Sequence, residues 1–400
     1  MGDADCIVVL QGGGALGAYQ AGMFEALSQH GREPDWVAGI SIGAINAALI
    51  AGNAPRDRVA QLRRFWERVS APNPGFAWPP EGVQEAWGAA RRFLGGTTPG
   101  LPGATQFFAP REALNESSAA QVMLFGASGF FAPRVPPAPW QPRGTPGAIS
   151  FYDTAPLRET LDELVDFDRI NARGAMRLSV GAVNVRSGNF AYFDSRQQRI
   201  DARHIMASGA LPPGFAPVEV EGEFYWDGGL VSNTPLQYVL DQPCSRHRVI
   251  FQADLFAASG EMPTTLAEVG EREKDIRFSS RTRLNTTHAL DRHRIAKAAQ
   301  RLLEKLPRAL RHDPDAQMLA RLCDAHGVDV VHLIYRSKHY ESQSKDYEFS
   351  RLSVREHWAT GLADTTRTLR DPRWTQREAQ SHGVRVFDLA SGERSHPQPA

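Results

Sequence analysis

Residues 6–50 read CIVVLQGGGALGAYQAGMFEALSQHGREPDWVAGISIGAINAALI. Cys6 to Leu10 is a short apolar run, the mark of a strand buried on both faces of a parallel sheet. Gln11 to Gly17 is a glycine-rich turn. Leu16, Tyr19, Met23 and Leu27 then recur at helical spacing, and Gly31 stands just past the end, where a helix C-terminus favours glycine. Asp35 to Ile40 reads as a second strand. A helix bearing Ile42, Ile45 and Leu49 on one face follows it with no intervening loop. Strand, turn, helix, strand, helix is the grammar of an α/β sheet with parallel strands.

Working outward, Val59, Leu62, Phe65, Trp66 and Val69 mark another amphipathic helix. Residues 71–150 break the pattern, holding 13 of the chain's 27 prolines, among them Pro136, Pro137, Pro139 and Pro142. They read as a Pro/Gly-rich insertion outside the sheet. Its apolar stretch, from Val122-Met123-Leu124-Phe125 to Phe130-Phe131, is read as a short helix packed on the main body. A lid over the site is the rival reading. Leu157, Leu161, Leu164 and Val165 resume the helical spacing. Leu178–Val185 and Phe190–Phe193 form a hairpin about Arg186-Ser187-Gly188. Val218 to Trp226 is a strand broken by the turn Glu221-Gly222. Val249–Phe256 and Val328–Tyr335 are further strands, with a helix through Leu290, Ile295, Ala299, Leu302 and Leu306 between them. From about Asp371 periodicity is lost, which predicts a loosely packed tail.

Composition narrows the class. With 400 residues, 42% hydrophobic and 22% charged, the chain can bury a large core. Lys+Arg and Asp+Glu both number 45, so bulk charge gives no reason to expect nucleic acid as a partner. Cys6, Cys244 and Cys323 form no C-x-x-C pair, which disfavours a zinc site or disulfide framework and suits a reducing compartment. The acidic start and short apolar runs predict neither a secretory signal nor a membrane span. A cytoplasmic location, with peripheral membrane contact at most, is the expectation.

Chemistry concentrates in three motifs. Gly39-Ile40-Ser41-Ile42-Gly43 lies between a strand and a helix, the context of a nucleophile elbow. So sharp a turn strains the serine backbone and lifts its hydroxyl clear of the sheet, and the helix N-terminus behind it favours developing negative charge. Gly12-Gly13-Gly14-Ala15-Leu16-Gly17 carries backbone N–H groups that can stabilise an oxyanion. The same G-x-G-x-x-G spacing also fits dinucleotide binding, but that reading needs an acid at the far end of the second strand, and Asp35 stands at its start. A base for Ser41 is the remaining requirement. His247, His288, His332 and His339 follow in the order of a Ser–Asp–His triad, yet no local context singles one out. Asp227, in Tyr225-Trp226-Asp227-Gly228-Gly229, follows an aromatic strand whose burial would raise its proton affinity.

Taken in order, Gly12–Gly17, Gly39–Gly43 and Asp227-Gly228-Gly229 resemble the three signatures of patatin-like phospholipases. Ala207-Ser208-Gly209-Ala210-Leu211-Pro212 is similar to a further block of that family. The resemblance implies a three-layer α/β/α fold with a largely parallel central sheet. It also implies a catalytic Ser41–Asp227 dyad without histidine, an oxyanion hole at Gly12, Gly13, Gly14 and Gly17, elbow glycines Gly39 and Gly43, and a turn at Gly228 and Gly229. Expected substrates are acyl esters of lipids, met transiently at a membrane surface, and neither metal nor cofactor is needed. A hydroxyalkanoate oligoester hydrolase on the same dyad and a non-catalytic membrane- or protein-binding scaffold are the alternatives. Leu16 stands where many members carry Arg or Lys. Residues 1–244 are expected to form the catalytic part. Residues 245–400 resemble the C-terminal extension of a bacterial subgroup. Within them Arg281-Thr282-Arg283-Leu284-Asn285 and Tyr335 to Tyr340 read first as a solvated helix face and a strand end completing the sheet, and secondarily as an anion site.

Overall fold

A computed structural model describes residues 4–70, 110–242, 246–323, 327–378 and 384–389, with the side chains at 110, 280–290, 292–294, 297, 308 and 321–323 excluded. The strands are β1 Asp5–Leu10, β2 Trp36–Ile40, β3 Ala132–Pro133, β4 Tyr152–Asp153, β5 Arg177–Asn184, β6 Phe190–Asp194, β7 Val218–Val220, β8 Glu223–Asp227, β9 Arg248–Asp254, β10 Val328–Ile334 and β11 Val384–Asp388. The helices are α1 Gly17–Gln29, α2 Ile42–Ala51, α3 Arg58–Val69, α4 Pro110–Phe125, α5 Ala155–Leu164, α6 Phe167–Ile170, α7 Ala202–Ser208, α8 Leu236–Asp241, α9 Leu266–Lys305, α10 Pro314–Cys323, α11 Arg351–Arg370 and α12 Pro372–Thr375.

One nine-stranded sheet runs β11-β10-β9-β1-β2-β5-β8-β7, with β6 also on β5. Pairing is parallel from β11 through β5 and antiparallel where β6 and β8 meet β5 and where β7 meets β8. Strand alternation divides the core between the two faces. Val8 and Leu10 point into the larger cluster with α1, α2 and α3, while Ile7 and Val9 join Leu236 and Val239 of α8 on the other face. Helices thus cover both faces of a largely parallel sheet, as the strand and helix grammar implies. The Arg186-Ser187-Gly188 hairpin forms as expected, and Glu221 and Gly222 both take positive φ, the conformation a tight two-residue hairpin turn requires.

Three regions differ from the sequence reading. First, residues 110–125 of the proline-rich stretch are a 16-residue helix, longer than the short one expected, because all its residues beyond Pro110 are free of Pro and Gly. The apolar stretch at its end splits. Met123, Leu124 and Phe125 are exposed, whereas Phe130 and Phe131 are buried against Phe65, Phe215 and Phe349. The remaining part of the insertion, 71–109, lies outside the described residues. Second, α9 reaches 40 residues, and Ile295 and Leu302 face solvent while Ala296 and Ala299 are buried. Its packed face is the small-residue one. Leu290 and the Arg281–Asn285 cluster fall on side chains outside the described residues. Third, the described parts of the tail, residues 371–378 and 384–389, are packed and not loose as expected. Trp374 is buried edge-on against Phe251 and Phe387, and β11 extends the sheet. Buried Asp329 grips this segment by accepting from Arg377 and Arg385, with His247 beside it. Such a charge is tolerated inside only when its partners surround it.

The long helix α11 of the C-terminal region lies on α1 at backbone distance. A Cβ at Gly361 would sit 2.0 Å from the Tyr19 carbonyl oxygen, and one at Gly22 would sit 1.9 Å from that of Trp358. Gly361→Ala is therefore expected to lower stability. Overpacking costs about 1–3 kcal/mol, more than the roughly 0.5–1 kcal/mol by which Ala is favoured over Gly in a helix. Thermal unfolding of the variant checks this, and a raised melting temperature would contradict it.

Candidate active site

Parallel register brings the motifs together. Leu10 of β1 pairs with Gly39 of β2, so the glycine loop and the elbow leave neighbouring strands at the same sheet end. Ile40 of β2 pairs with Gly181 of β5, and Ala182 of β5 pairs with Asp227 of β8. Asp227 thus arrives beside Ser41 from 186 residues further along the chain.

Ser41 adopts φ 56, ψ −124 as the residue before α2, a strained backbone for any residue with a side chain. The elbow glycines are needed because the chains touch. A Cβ at Gly39 would lie 2.2 Å from the Gly43 oxygen, and one at Gly43 would lie 2.3 Å from the Leu10 oxygen. The Ser41 amide is held by Ser208, donating to both its Oγ and its carbonyl at 3.1 Å, while Ser208 Oγ donates to the Gly181 carbonyl. The Ala-Ser-x-Ala block therefore braces the elbow from behind.

Asp227 is 2% exposed. Its carboxylate accepts from the Gly229 amide at 2.7 Å and lies beside the Ser41 side chain, close enough for the hydroxyl to pull its pKa down. Burial pushes its pKa up to about 6, against the opposing pull of the Ser41 hydroxyl and the Gly229 amide. Its own amide donates to the Ala210 carbonyl. Gly228 must be glycine because a Cβ there would lie 2.6 Å from the Gly181 oxygen.

The glycine loop passes over the elbow so closely that a Cβ at Gly12 would sit 3.0 Å from Ser41 Cβ. Its amides are unequal. Gly12 donates to the Asn233 carbonyl, Ala15 to the Asp346 carbonyl, and Gly17 back to the carbonyls of Gly14 and Ala15. Among the described residues the Gly13 and Gly14 amides have no acceptor, and both residues are partly exposed. The expectation that Gly12 and Gly17 would also offer free amides is not met, because each is already engaged. Leu16 is fully buried, so that position brings no cation to the loop.

Sequence reasoning overlooked four buried polar residues that hold these loops. Asn233 Nδ2 donates to the Gly12 carbonyl, closing a two-bond clasp between the glycine loop and the Asp-Gly-Gly turn. Gln11 Oε1 accepts from the Leu255 and Phe256 amides. Gln20 donates to the Gln11 carbonyl, and Asn46 to the Gly17 carbonyl and Gln20. The available signal was an amide side chain inside an otherwise apolar run, which must find partners when buried.

The rival readings lose their structural parts. Asp35 accepts from the Cys6 amide at the opposite end of the strands, far along the sheet from the glycine loop that dinucleotide binding would use. No described histidine hydrogen-bonds Ser41 or Asp227. His247 is on Asp329, His332 is held neutral by burial that lowers its pKa to about 4, and His339 packs on Tyr340. His288 falls on the excluded side chains. Among the described residues no group of three or more His, Cys, Asp or Glu is placed to hold a metal, and no helix is long and apolar enough to cross a membrane.

Comparison with known proteins agrees with this arrangement. A family model described as patatin-like phospholipase matches residues 8–240, and a second, described as patatin phospholipase, matches residues 276–381. No curated protein matches the chain. Among solved structures, VipD from Legionella pneumophila is 17% identical over 90% of this chain and 67% of its own, with TM-score 0.31. The ExoU–SpcU complex of the Pseudomonas aeruginosa type III secretion system gives 15% identity, 90% and 69% coverage, and TM-score 0.29. With the family model spanning residues 8–240 and all three motifs gathered at one sheet end, the chain belongs to the patatin-like phospholipase family.

Proposed function

We propose that the chain hydrolyses carboxylic esters of lipids, with Ser41 as nucleophile and Asp227 as base. The observation carrying this is the placement of strained Ser41 beside the buried Asp227 carboxylate, which it influences directly and whose pKa burial pushes up to about 6. In the reaction Ser41 Oγ attacks the ester carbonyl carbon as Asp227 takes its proton. The carbonyl oxygen becomes an oxyanion that the Gly13 and Gly14 amides and the α2 N-terminus stabilise. Collapse breaks the ester C–O bond, and the alkoxide leaves with the proton held by Asp227. Water then attacks the acyl-Ser41 carbonyl, giving its proton to Asp227. Release of the carboxylic acid returns a proton to Ser41.

The surroundings support an acyl-lipid substrate at a membrane surface. Leu211 and Leu230 are exposed and lie within four residues of Ala210 and Asp227, the pair joined by a backbone hydrogen bond. Residues 1–244 carry every group this chemistry uses, with 71–150 inserted and 245–400 as a C-terminal extension of that catalytic part. The test is fatty-acid release from phosphatidylcholine, lysophosphatidylcholine and diacylglycerol vesicles with a chelator present. Release from at least one is expected, and the preferred lipid names the head group. Inertness on all three and on soluble p-nitrophenyl esters would refute the proposal.

A further inference from the structure

The loop 337–349, between β10 and α11, reaches back to the glycine loop. The Asp346 carbonyl accepts the Ala15 amide at 2.7 Å. It also lies where a Cβ at Gly14 would be, 1.9 Å from that point, and Gly14 there takes φ +53. The contact uses up the Ala15 amide and crowds the adjoining residue, leaving the amides of Gly13 and Gly14 as the donors for an oxyanion.

Two lysines fix this contact. Lys274 of α9 donates to the Asp346 carboxylate at 2.7 Å and to the Gln343 carbonyl at 2.6 Å. Lys345 is 3% exposed and donates to Glu271 and Asp275 of α9 at 2.8 Å each and to Ser337. Burial works against its charge, but Asp275 and Glu271 outweigh this and raise its pKa. Glu271, Lys274 and Asp275 share one face of α9 by their i, i+3, i+4 spacing. On the far side Ser344 donates to Glu116 of α4, and Phe349 is buried against Trp66 and Phe130. These ties hold the loop from three directions, while its one backbone contact with the site falls on the glycine loop.

We infer that Lys274 and Lys345 are positioning residues for the oxyanion hole, clamping the 337–349 loop to α9 so that the Asp346 carbonyl holds Ala15 and sets the backbone at Gly14. The inference rests on the Ser41–Asp227 reading and assigns the C-terminal region a part in it. The clamp acts on the oxyanion side only. Neither lysine touches Asp227, whose partners are Ser41 and Gly229.

Lys345→Met would strand the buried Asp275 carboxylate and the partly buried Glu271 and endanger the fold, so Lys274→Met, at a partly exposed pair, is the primary variant. Two readouts are taken on the full chain. Hydrogen exchange of the peptide spanning residues 11–20 reports the Ala15 amide without reference to activity. Steady-state ester hydrolysis reports the consequence. Expected are faster exchange in that peptide and a kcat lower by about 10–100-fold, since a misplaced oxyanion donor is felt mainly in the transition state. KM should stay near the wild-type value, the acid limb of the pH–rate profile should not move, and Lys274→Arg should restore most of the rate. Unchanged exchange, or faster exchange with unchanged kcat, overturns the inference. So does a loss seen only in KM, or a shifted acid limb. A wild type inert on every ester would instead refute the Ser41–Asp227 reading, before any variant is compared.

Discussion

Ser41→Ala is expected to lower ester hydrolysis by at least about a thousandfold while leaving the chain folded, because removing the nucleophile of a unit that acts together removes nearly all its chemistry. The fold does not depend on the hydroxyl. The backbone at Ser41 is held by its own amide on Ser208 and by the close approach of Gly39 and Gly43, none of which involves Oγ. The same geometry makes a second, opposite prediction. At φ 56 any side chain is strained, and Ala keeps that strain. Ser41→Gly should be as inactive as Ser41→Ala yet more stable by about 1 kcal/mol, glycine being free of a strain worth roughly 1–3 kcal/mol but more mobile when unfolded. Thermal unfolding of the two variants side by side measures the difference. Equal stabilities would mean that the elbow stores no strain.

Asp227→Asn carries the second large effect. General-base catalysis contributes about 10²–10⁴-fold, and without the carboxylate no described group replaces it. The wild-type rate should rise with pH through about 6 and then level off, because Asp227 is a base only when ionised and burial holds its pKa there. Asp254 is also buried, with its pKa pushed up to about 7, but it accepts from Gln252 and not from Ser41, so Asp254→Asn should keep the limb near 6. A stability signature accompanies the rate. The folded-state value lies above the ordinary 3.8, so the folded chain binds that proton more tightly than the unfolded one. Ionised Asp227 therefore costs stability as pH rises from about 4 to about 6, and the cost persists above that range. Asp227→Asn removes it, and the variant should gain more over wild type at pH 8 than at pH 4. A gain independent of pH would show that Asp227 does not titrate where its burial places it.

What the sequence disclosed depended on the range of the signal. The order of strands and helices from Cys6 to Leu49 was legible because a buried parallel strand and an amphipathic helix write their periods locally. The three motifs were legible because each is a tight cluster of glycines, two of them set beside a single reactive side chain, Ser41 or Asp227. The meeting of the glycine loop and the elbow at the carboxyl ends of the strands follows from the parallel grammar, whereas the route by which Asp227 joins them depends on β5 lying between β2 and β8, a pairing that no local pattern records. The two silent glycine-loop amides also escaped notice. Gly12 and Gly17 look the same as Gly13 and Gly14 in the sequence, and only Asn233 and the start of α1 distinguish them. The packing of residues 371–378 and 384–389 was not foreseen because it comes from a few long-range anchors, Trp374 on Phe251 and Arg385 on Asp329, and not from periodicity. The long helix α9 misled in the other direction. Ile295 and Leu302 lie at a seven-residue spacing that suggests a buried stripe, yet the packed positions are Ala296 and Ala299.

The most direct test of the dyad is covalent labelling by a fluorophosphonate, which reports an activated serine without needing the natural lipid. Mass spectrometry of the peptide containing Ser41 should show one phosphonyl adduct in the wild type and none in Ser41→Ala. Asp227→Asn should label at least about a hundredfold more slowly, matching the lower range for a lost base. Labelling at another serine, or an Asp227→Asn protein that labels as fast as wild type, would contradict the account.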